Sequence, residues 1–236
     1  RVDNAYALVR PPGHHAQRDT GMGFCLLGNV AVAASAVRRS HGVERVAVVD
    51  VDVHHGNGTQ AAFADDPDTL TLSLHQDGVF PPGSGDVTER GPALLNLPLP
   101  PGTGNGGYLA AVRRVVLPAL RRFRPDLLLV AAGYDAGATD PLARMAVTAA
   151  GYREIARLLV DAAAELCGGR IAFAHEGGYD PVYVPFCAHA VIEVLAGVAD
   201  PLPDPFSAHF DHLPGQEAQP HQEAAIAAAE ALLPEL

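Results

Sequence analysis

No lysine occurs among the 236 residues; all sixteen basic side chains are arginine, against 27 acidic ones, for a formal net charge of −11. A chain with that balance makes a poor partner for a phosphate backbone, which excludes a nucleic-acid-binding protein of the usual basic kind. The acidic field suits neutral or cationic ligands. Cysteine is scarce: Cys25, Cys167 and Cys187 form an odd, scattered set without C-x-x-C spacing, which reads as buried thiols in a reducing compartment. No uninterrupted apolar stretch approaches the roughly 18 residues of a membrane span. The opening "RVDNAYALVRPPGHHA" lacks the basic, apolar and small-residue zones of a secretory signal. These shortages together predict a soluble cytoplasmic protein with no membrane partner. The arginine-only basic set and the alanine-rich helical segments match the codon bias of a GC-rich bacterium, which is an association without chemical content.

What is present is 48% apolar and 18% charged, and a chain of this length can bury one sizeable core. A single domain over residues 1–236 is expected. Short runs of valine, leucine and alanine alternate with longer segments of helical period, the pattern of a parallel sheet covered on both faces. Strands are predicted over Ala5–Val9, Arg45–Val51, Leu70–Leu74, Asp126–Ala131 and Arg170–Ala174. Helices are predicted over Asn29–Ser40, Gly107–Phe123, Thr148–Leu166, Ala188–Gly197 and Glu223–Leu233. The stretch from Gln76 to Gly107 is dense in glycine and proline and reads as one long functional loop. No internal repeat is visible.

Four of the five strands end in polar clusters. The first is followed by Arg10-Pro11-Pro12-Gly13-His14-His15, and the second by Asp50-Val51-Asp52-Val53-His54-His55-Gly56. The fourth ends in Gly133-Tyr134-Asp135 and the fifth in His175-Glu176-Gly177-Gly178-Tyr179. Ligands of open parallel sheets bind outside the carboxyl ends of the strands, so these clusters are expected to meet in one crevice. Asp52 and His54, two apart, project from one side of an extended segment and suit zinc. Asp135 supplies a third ligand and leaves a position for water. Asp50, on the same face, is placed to orient a neighbouring histidine through its ring N–H. Each feature alone has a plainer reading: Asp-x-His is commonly a turn or cap, paired histidines are commonly structural, and Gly-Gly commonly marks a turn. Four such accidents at neighbouring strand ends make a weaker account than one site.

The motifs "RPPGHHA", "VDVDVHHGNGTQ", "LSLH", "AAGYDA" with "DPLARM", and "HEGGYD" occur in that order from Arg10 to Asp180. Together they resemble the zinc-dependent histone deacetylase and acetylpolyamine amidohydrolase family of the arginase-deacetylase fold. The Asn57 and Glu176 positions resemble its class II branch and bacterial relatives. The resemblance implies a three-layer α/β/α domain with a central, mainly parallel sheet. It implies one Zn²⁺ on Asp52, His54 and Asp135, with His15 as general base, His14 as its electrostatic partner and Tyr179 as donor to the developing oxyanion. Asp50 is implied to support His14, and Asn57 to support His15. Gly23, Phe24, Phe80, Gly177 and Gly178 are implied to line the substrate tunnel, the register at Phe80 being open by one residue within "FPP". A structural K⁺ is implied at Asp50, Asp52, His54, Ser73 and Leu74.

The implied substrates are acetyl-lysine side chains or other acetylated amines, including acetylpolyamines, and a homo-oligomer stays open. Members of the resembled family carry a further segment ahead of "RPPGHHA", with the first strand and an acidic rim residue. This chain therefore reads as lacking that N-terminal part, either as a fragment or as a trimmed fold with an exposed sheet edge. Two rivals remain in view. A catalytically weak deacetylase-like scaffold that binds acylated partners is disfavoured by retention of His14, His15 and Tyr179. An arginase-like dimanganese hydrolase needs extra aspartates where this chain has Gly56 and Gly137. Protein purified without chelator is accordingly expected to hold about one equivalent of divalent metal, and elemental analysis finding two contradicts this.

Overall fold

Runs of valine and leucine that are apolar on both faces must be covered on both faces, which makes helices on each side of the sheet obligatory. In the computed structural model, which describes residues 4–213 and 215–236, the chain runs through β1 (Asn4–Ala7), α1 (Asn29–His41), β2 (Val46–Asp50), α2 (Asn57–Ala62), β3 (Thr69–Gln76) and β4 (Leu94–Leu99). It continues through α3 (Asn105–Ala111), a π-helical turn at Val112–Val116, α4 (Leu117–Phe123), β5 (Leu127–Ala132) and α5 (Ala149–Cys167). Then follow β6 (Ile171–His175), α6 (Val184–Leu195), the short α7 (Ser207–Phe210), α8 (Pro220–Glu230) and a closing 3-10 turn.

All pairings are parallel, in the order β1-β6-β5-β2-β3-β4. Alternate residues of β2 serve the two faces. Val46 and Val48, with Leu129 and Ala131 of β5, pack against Val30 and Ala34 of α1 and against Phe63. Ala47 and Val49, with the leucines of β3, join the larger core formed by α3 to α6 and α8, including Tyr108, Leu120, Ile155, Leu159 and Ile226. The result is the three-layer α/β/α arrangement.

The strand order also decides where a site can be. After β2 the chain builds outward through β3 and β4; it then returns to the other side of β2 with β5 and builds the opposite way through β6. The topological switch therefore lies between β2 and β5, and a crevice opens at their carboxyl ends.

Two expectations required correction. The stretch from Gln76 to Gly107 is not wholly loop, because Leu94–Leu99 forms β4 alongside β3. Pro98 within it argued against a strand, but β4 is an edge strand, where a missing N–H is tolerated. The helix expected over Gly107–Phe123 is broken by the π-helical turn just ahead of Pro118, whose missing N–H removes one rung of the regular ladder. In addition, α6 begins at Val184 rather than Ala188, with Pro185 in its first turn, and the short α2 was not foreseen.

Leu72 lies in the middle of β3 at 1% exposure, inside the larger core. Leu72→Ala is expected to lower unfolding free energy by about 2–5 kcal/mol, read from denaturant melts. A loss well below that range means that the core around β3 relaxes to fill the void.

Candidate active site

The register pairs Asp50 of β2 with Ser73 of β3 on one side and Ala131 of β5 on the other. The chain beyond Asp50 therefore runs beside the chain beyond Ala131, and Asp52, His54 and Asp135 come together, all buried. Their ligand atoms lie within 4.8 Å of one another. His54 Nδ1 sits 3.0 Å from Asp52 Oδ1 and 3.0 Å from Asp135 Oδ2. One ring N–H is aligned with only one acceptor, and Asp135 Oδ2 is left buried without a hydrogen bond.

Backbone donors hold the two carboxylates from behind. Asp52 Oδ2 accepts from Gly177 N–H at 2.8 Å, and Asp135 Oδ1 accepts from Val53 N–H at 2.8 Å. Burial, aided by the charge on Asp52, pushes the Asp135 carboxyl up to about 7. Burial opposes the charge on His54, yet the Asp135 and Asp52 carboxylates outweigh it and hold that imidazole at about 10. Two buried carboxylates and an imidazole nitrogen converging on one point, with an oxygen unpartnered, form a donor set that fits a divalent cation. The proton on His54 is the charge such an ion displaces.

A second triplet, His14, Cys25 and Glu176, is equally close-packed. It fits a cation poorly. Burial raises the Cys25 thiol to about 11, and His14 is held charged by Asp52 and Asp50, so two of the three donors keep their protons, although Glu176, whose Oε2 accepts from Gly13 and His14 N–H at 2.6 and 3.0 Å, leaves Oε1 without a partner.

Beside the first triplet stand the two adjacent histidines, with ring centroids 4.0 Å apart. His14 Nδ1 donates to Asp50 Oδ2 at 2.8 Å, and His15 Nδ1 donates to Asn57 Oδ1 at 2.7 Å. Both rings thus present Nε2 to the crevice. Their electrostatics diverge: burial opposes charge on His14, but Asp52 and Asp50 carry its pKa well above the ordinary imidazole value. Burial and the charge of His14 depress His15 to about 3, so it stays neutral with a free lone pair. Burial and the neighbouring carboxylates raise the Tyr179 phenol, which keeps its proton.

Asp50 Oδ1 accepts from Asp52 N–H at 3.1 Å, so both oxygens of Asp50 face protein groups. Ser73 Oγ, one of the residues of the expected monovalent-ion site, accepts from Gly56 N–H at 3.4 Å and meets His75 Nδ1 at 3.0 Å.

A cavity of about 270 Å³ leads to this group, lined by His15, Gly23, Phe24, His54, Val79, Phe80, Leu142 and Tyr179. Phe80 stands edge-on to His15 at 5.0 Å, and Tyr179 faces Phe24 at 5.8 Å. Gly177 and Gly178 line an adjoining hollow of about 880 Å³ that shares Phe24 and Tyr179 with it.

Residues 1–195 match the histone deacetylase domain. The chain belongs to the histone deacetylase family. It is 56% identical to a histone deacetylase-like amidohydrolase of Pseudomonas aeruginosa over 209 residues, covering 86% of this chain and 55% of that protein. It is 39% identical to a probable deacetylase of Archaeoglobus fulgidus over 201 residues, covering 83% of this chain and 55% of that one. The crystal structure of an HDA15 HD domain matches with a TM-score of 0.84 and 37% identity, over 99% of this chain and 63% of its own. The chain thus spans little more than half the length of these family members.

Sequence reasoning missed three contributors. Leu142 and Val79 on the cavity wall are apolar residues in loops and carry no signal of their own. Glu176 was noted only as a branch feature, whereas its carboxylate grips the loop that carries His14. A charged residue followed by two glycines at a strand end was the signal available.

A Cβ at Gly177 collides with Asp135 Oδ2, and one at Gly133 collides with Asp52 Oδ2. Gly177→Ala is therefore expected to remove most bound divalent metal while leaving the far-ultraviolet circular dichroism unchanged. Full metal content in that variant refutes the packing of the carboxylates described above.

Proposed function

We propose that this chain carries a zinc-dependent deacetylase site that removes acetyl groups from acetyl-lysine side chains or related acetylated amines. The supporting observation is the meeting, at one cavity, of the Asp52–His54–Asp135 donor set, a neutral His15 and a protonated Tyr179. The donor set suits Zn²⁺ because two carboxylates and an imidazole leave room for a water. Zn²⁺ held by Asp52, His54 and Asp135 would supply Lewis-acid chemistry, acidifying a water and polarising the amide carbonyl.

The protein's own residues do the rest. His15 Nε2 takes a proton from the attacking water and returns it to the leaving amine nitrogen. Asn57 holds His15 in the tautomer this requires. His14, kept charged by Asp50 and Asp52, stabilises the negative charge that builds on the substrate oxygen. The Tyr179 hydroxyl donates to that same oxygen. Phe24, Phe80 and Leu142 enclose the alkyl stem and keep bulk water from it. Asp50, Asp52, His54, Ser73 and Leu74 are the residues that would hold a K⁺, which would brace this segment, Asp50's carboxylate being itself engaged by His14.

The net charge of −11 mildly favours cationic substrates, and acetyl-lysine peptides and acetylpolyamines are both in scope. The test is a side-by-side kinetic comparison of an acetyl-lysine peptide and N-acetylputrescine on zinc-loaded protein, with Tyr179→Phe as control. We expect that variant to keep its metal and fold and to lose on the order of 10²-fold in kcat. No turnover of either amide by the parent chain rejects the reading, and near-parental kcat in the variant rejects the role of Tyr179.

A further inference from the structure

Tyr179 has a hydroxyl for which no hydrogen bond is formed among the described residues, and its ring leans on Phe24, which is itself 68% exposed. The other ring near it, His54, is 6.5 Å away. Side-chain packing is therefore a weak constraint on where the phenol points. Its backbone is better held. Tyr179 N–H donates to Asp140 Oδ2 at 2.8 Å, and Asp140 Oδ1 accepts from Leu142 N–H at 2.9 Å.

Asp140 is buried at 8% exposure, and its own N–H donates to Gly137 O at 3.1 Å. One carboxylate thus joins the segment after β5, which carries Asp135 and Leu142, to the segment after β6, which carries Tyr179. A second tie, Tyr134 N–H to Gly177 O at 2.8 Å, lies two residues back on the β6 side. The two ties bracket the turn at Gly178. The Tyr134–Gly177 bond fixes the base of that turn, and Asp140 fixes its tip.

We propose that Asp140 is a positioning residue that acts through Tyr179: it sets the oxyanion donor against the Asp52–His54–Asp135 set and holds the Leu142 wall in the same frame. A neutral amide cannot replace it, because asparagine offers one acceptor oxygen where two N–H groups converge. In Asp140→Asn the amide nitrogen is turned toward one of those N–H donors, and that side of the turn loosens. A displacement of this kind away from the reacting atoms costs rate more than binding, because it spoils alignment in the transition state.

This inference rests on the deacetylase reading for its kinetic arm and on structure alone for its second arm. The experiment is a double-mutant cycle of Asp140→Asn and Tyr179→Phe on metal-loaded protein with an acetyl-lysine peptide. It is accompanied by amide hydrogen exchange of the segments 140–144, 176–182 and 50–55. Asp140→Asn is expected to lower kcat by about 10- to 100-fold in the parent. In the Tyr179→Phe background the same change is expected to cost less than about 2-fold, since the group it positions is gone.

Exchange should rise at Tyr179 and Leu142 and stay at the parental level around Asp52 and His54, with metal content unchanged. Equal kcat losses in both backgrounds overturn the proposal, as does parental exchange at Tyr179. Should Asp140→Asn not fold, Asp140→Glu keeps both acceptors on a longer arm and enters the same cycle, with a smaller loss and the same dependence on Tyr179 expected. A parent chain that hydrolyses no acetylated amide rejects the deacetylase reading, and the exchange arm then decides whether Asp140 anchors Tyr179.

Discussion

Two carboxylates, Asp52 and Asp135, are buried at the ends of adjacent strands with one imidazole between them. Charge in that position is costly unless it is neutralised, and the surrounding structure is arranged to supply the neutralisation. Backbone N–H groups of Val53, His54 and Gly177 point at the oxygens. Glycine occupies positions 133 and 177 because any side chain there would fill the space of a carboxylate. His54 carries a proton that stands in for a cation. Histidine, glycine and the strand ends in this region are thus consequences of one electrostatic constraint.

The same negative field divides the labour of the two histidines. His14 lies against Asp50 and near Asp52, and its positive charge is stabilised; His15, next to that charge and deprived of water, is kept neutral. Neighbouring residues of one type are thus driven to opposite protonation states by their surroundings alone. Asn57 suits this division better than an acid at the same place would: it orients His15 without adding charge, whereas a carboxylate would raise the pKa of the ring it holds.

The loops that complete the site follow different strands, so their mutual position needs long-range ties. Glu176, after β6, holds the amides of Gly13 and His14, after β1. Asp140, after β5, holds the amide of Tyr179, after β6. Gln76, at the end of β3, accepts from Arg144 N–H at 2.7 Å, in the stretch that follows the cavity wall. Side-chain carboxylates and amides thus do, between loops, what the hydrogen-bond ladder does between strands.

Much of the site was legible in the sequence because its chemistry is local. The pairing of Asp52 with His54 was legible from their spacing, although both lie beyond β2, which ends at Asp50, and the clusters at the strand ends announce a crevice without reference to other strands. The strands β2, β3, β5 and β6 were legible for the same reason, being apolar runs bounded by turn residues. Pro98 hid β4, since a proline forbids an inner strand and only the sheet order reveals that this one is an edge. The adjacency of β2 and β5, on which the meeting of Asp135 with Asp52 depends, is a fact of topology that no local pattern encodes. Likewise Glu176, Asp140 and Leu142 have roles defined by partners far along the chain, and only the folded packing determines those partners. The sequence by itself determined which side chains can bind a metal, move a proton or donate to an oxyanion, because those are properties of residue type and short spacing. Tertiary structure alone decided their distances, their protonation and which of them face one cavity, because these depend on burial and on neighbours that the chain brings together only when it folds.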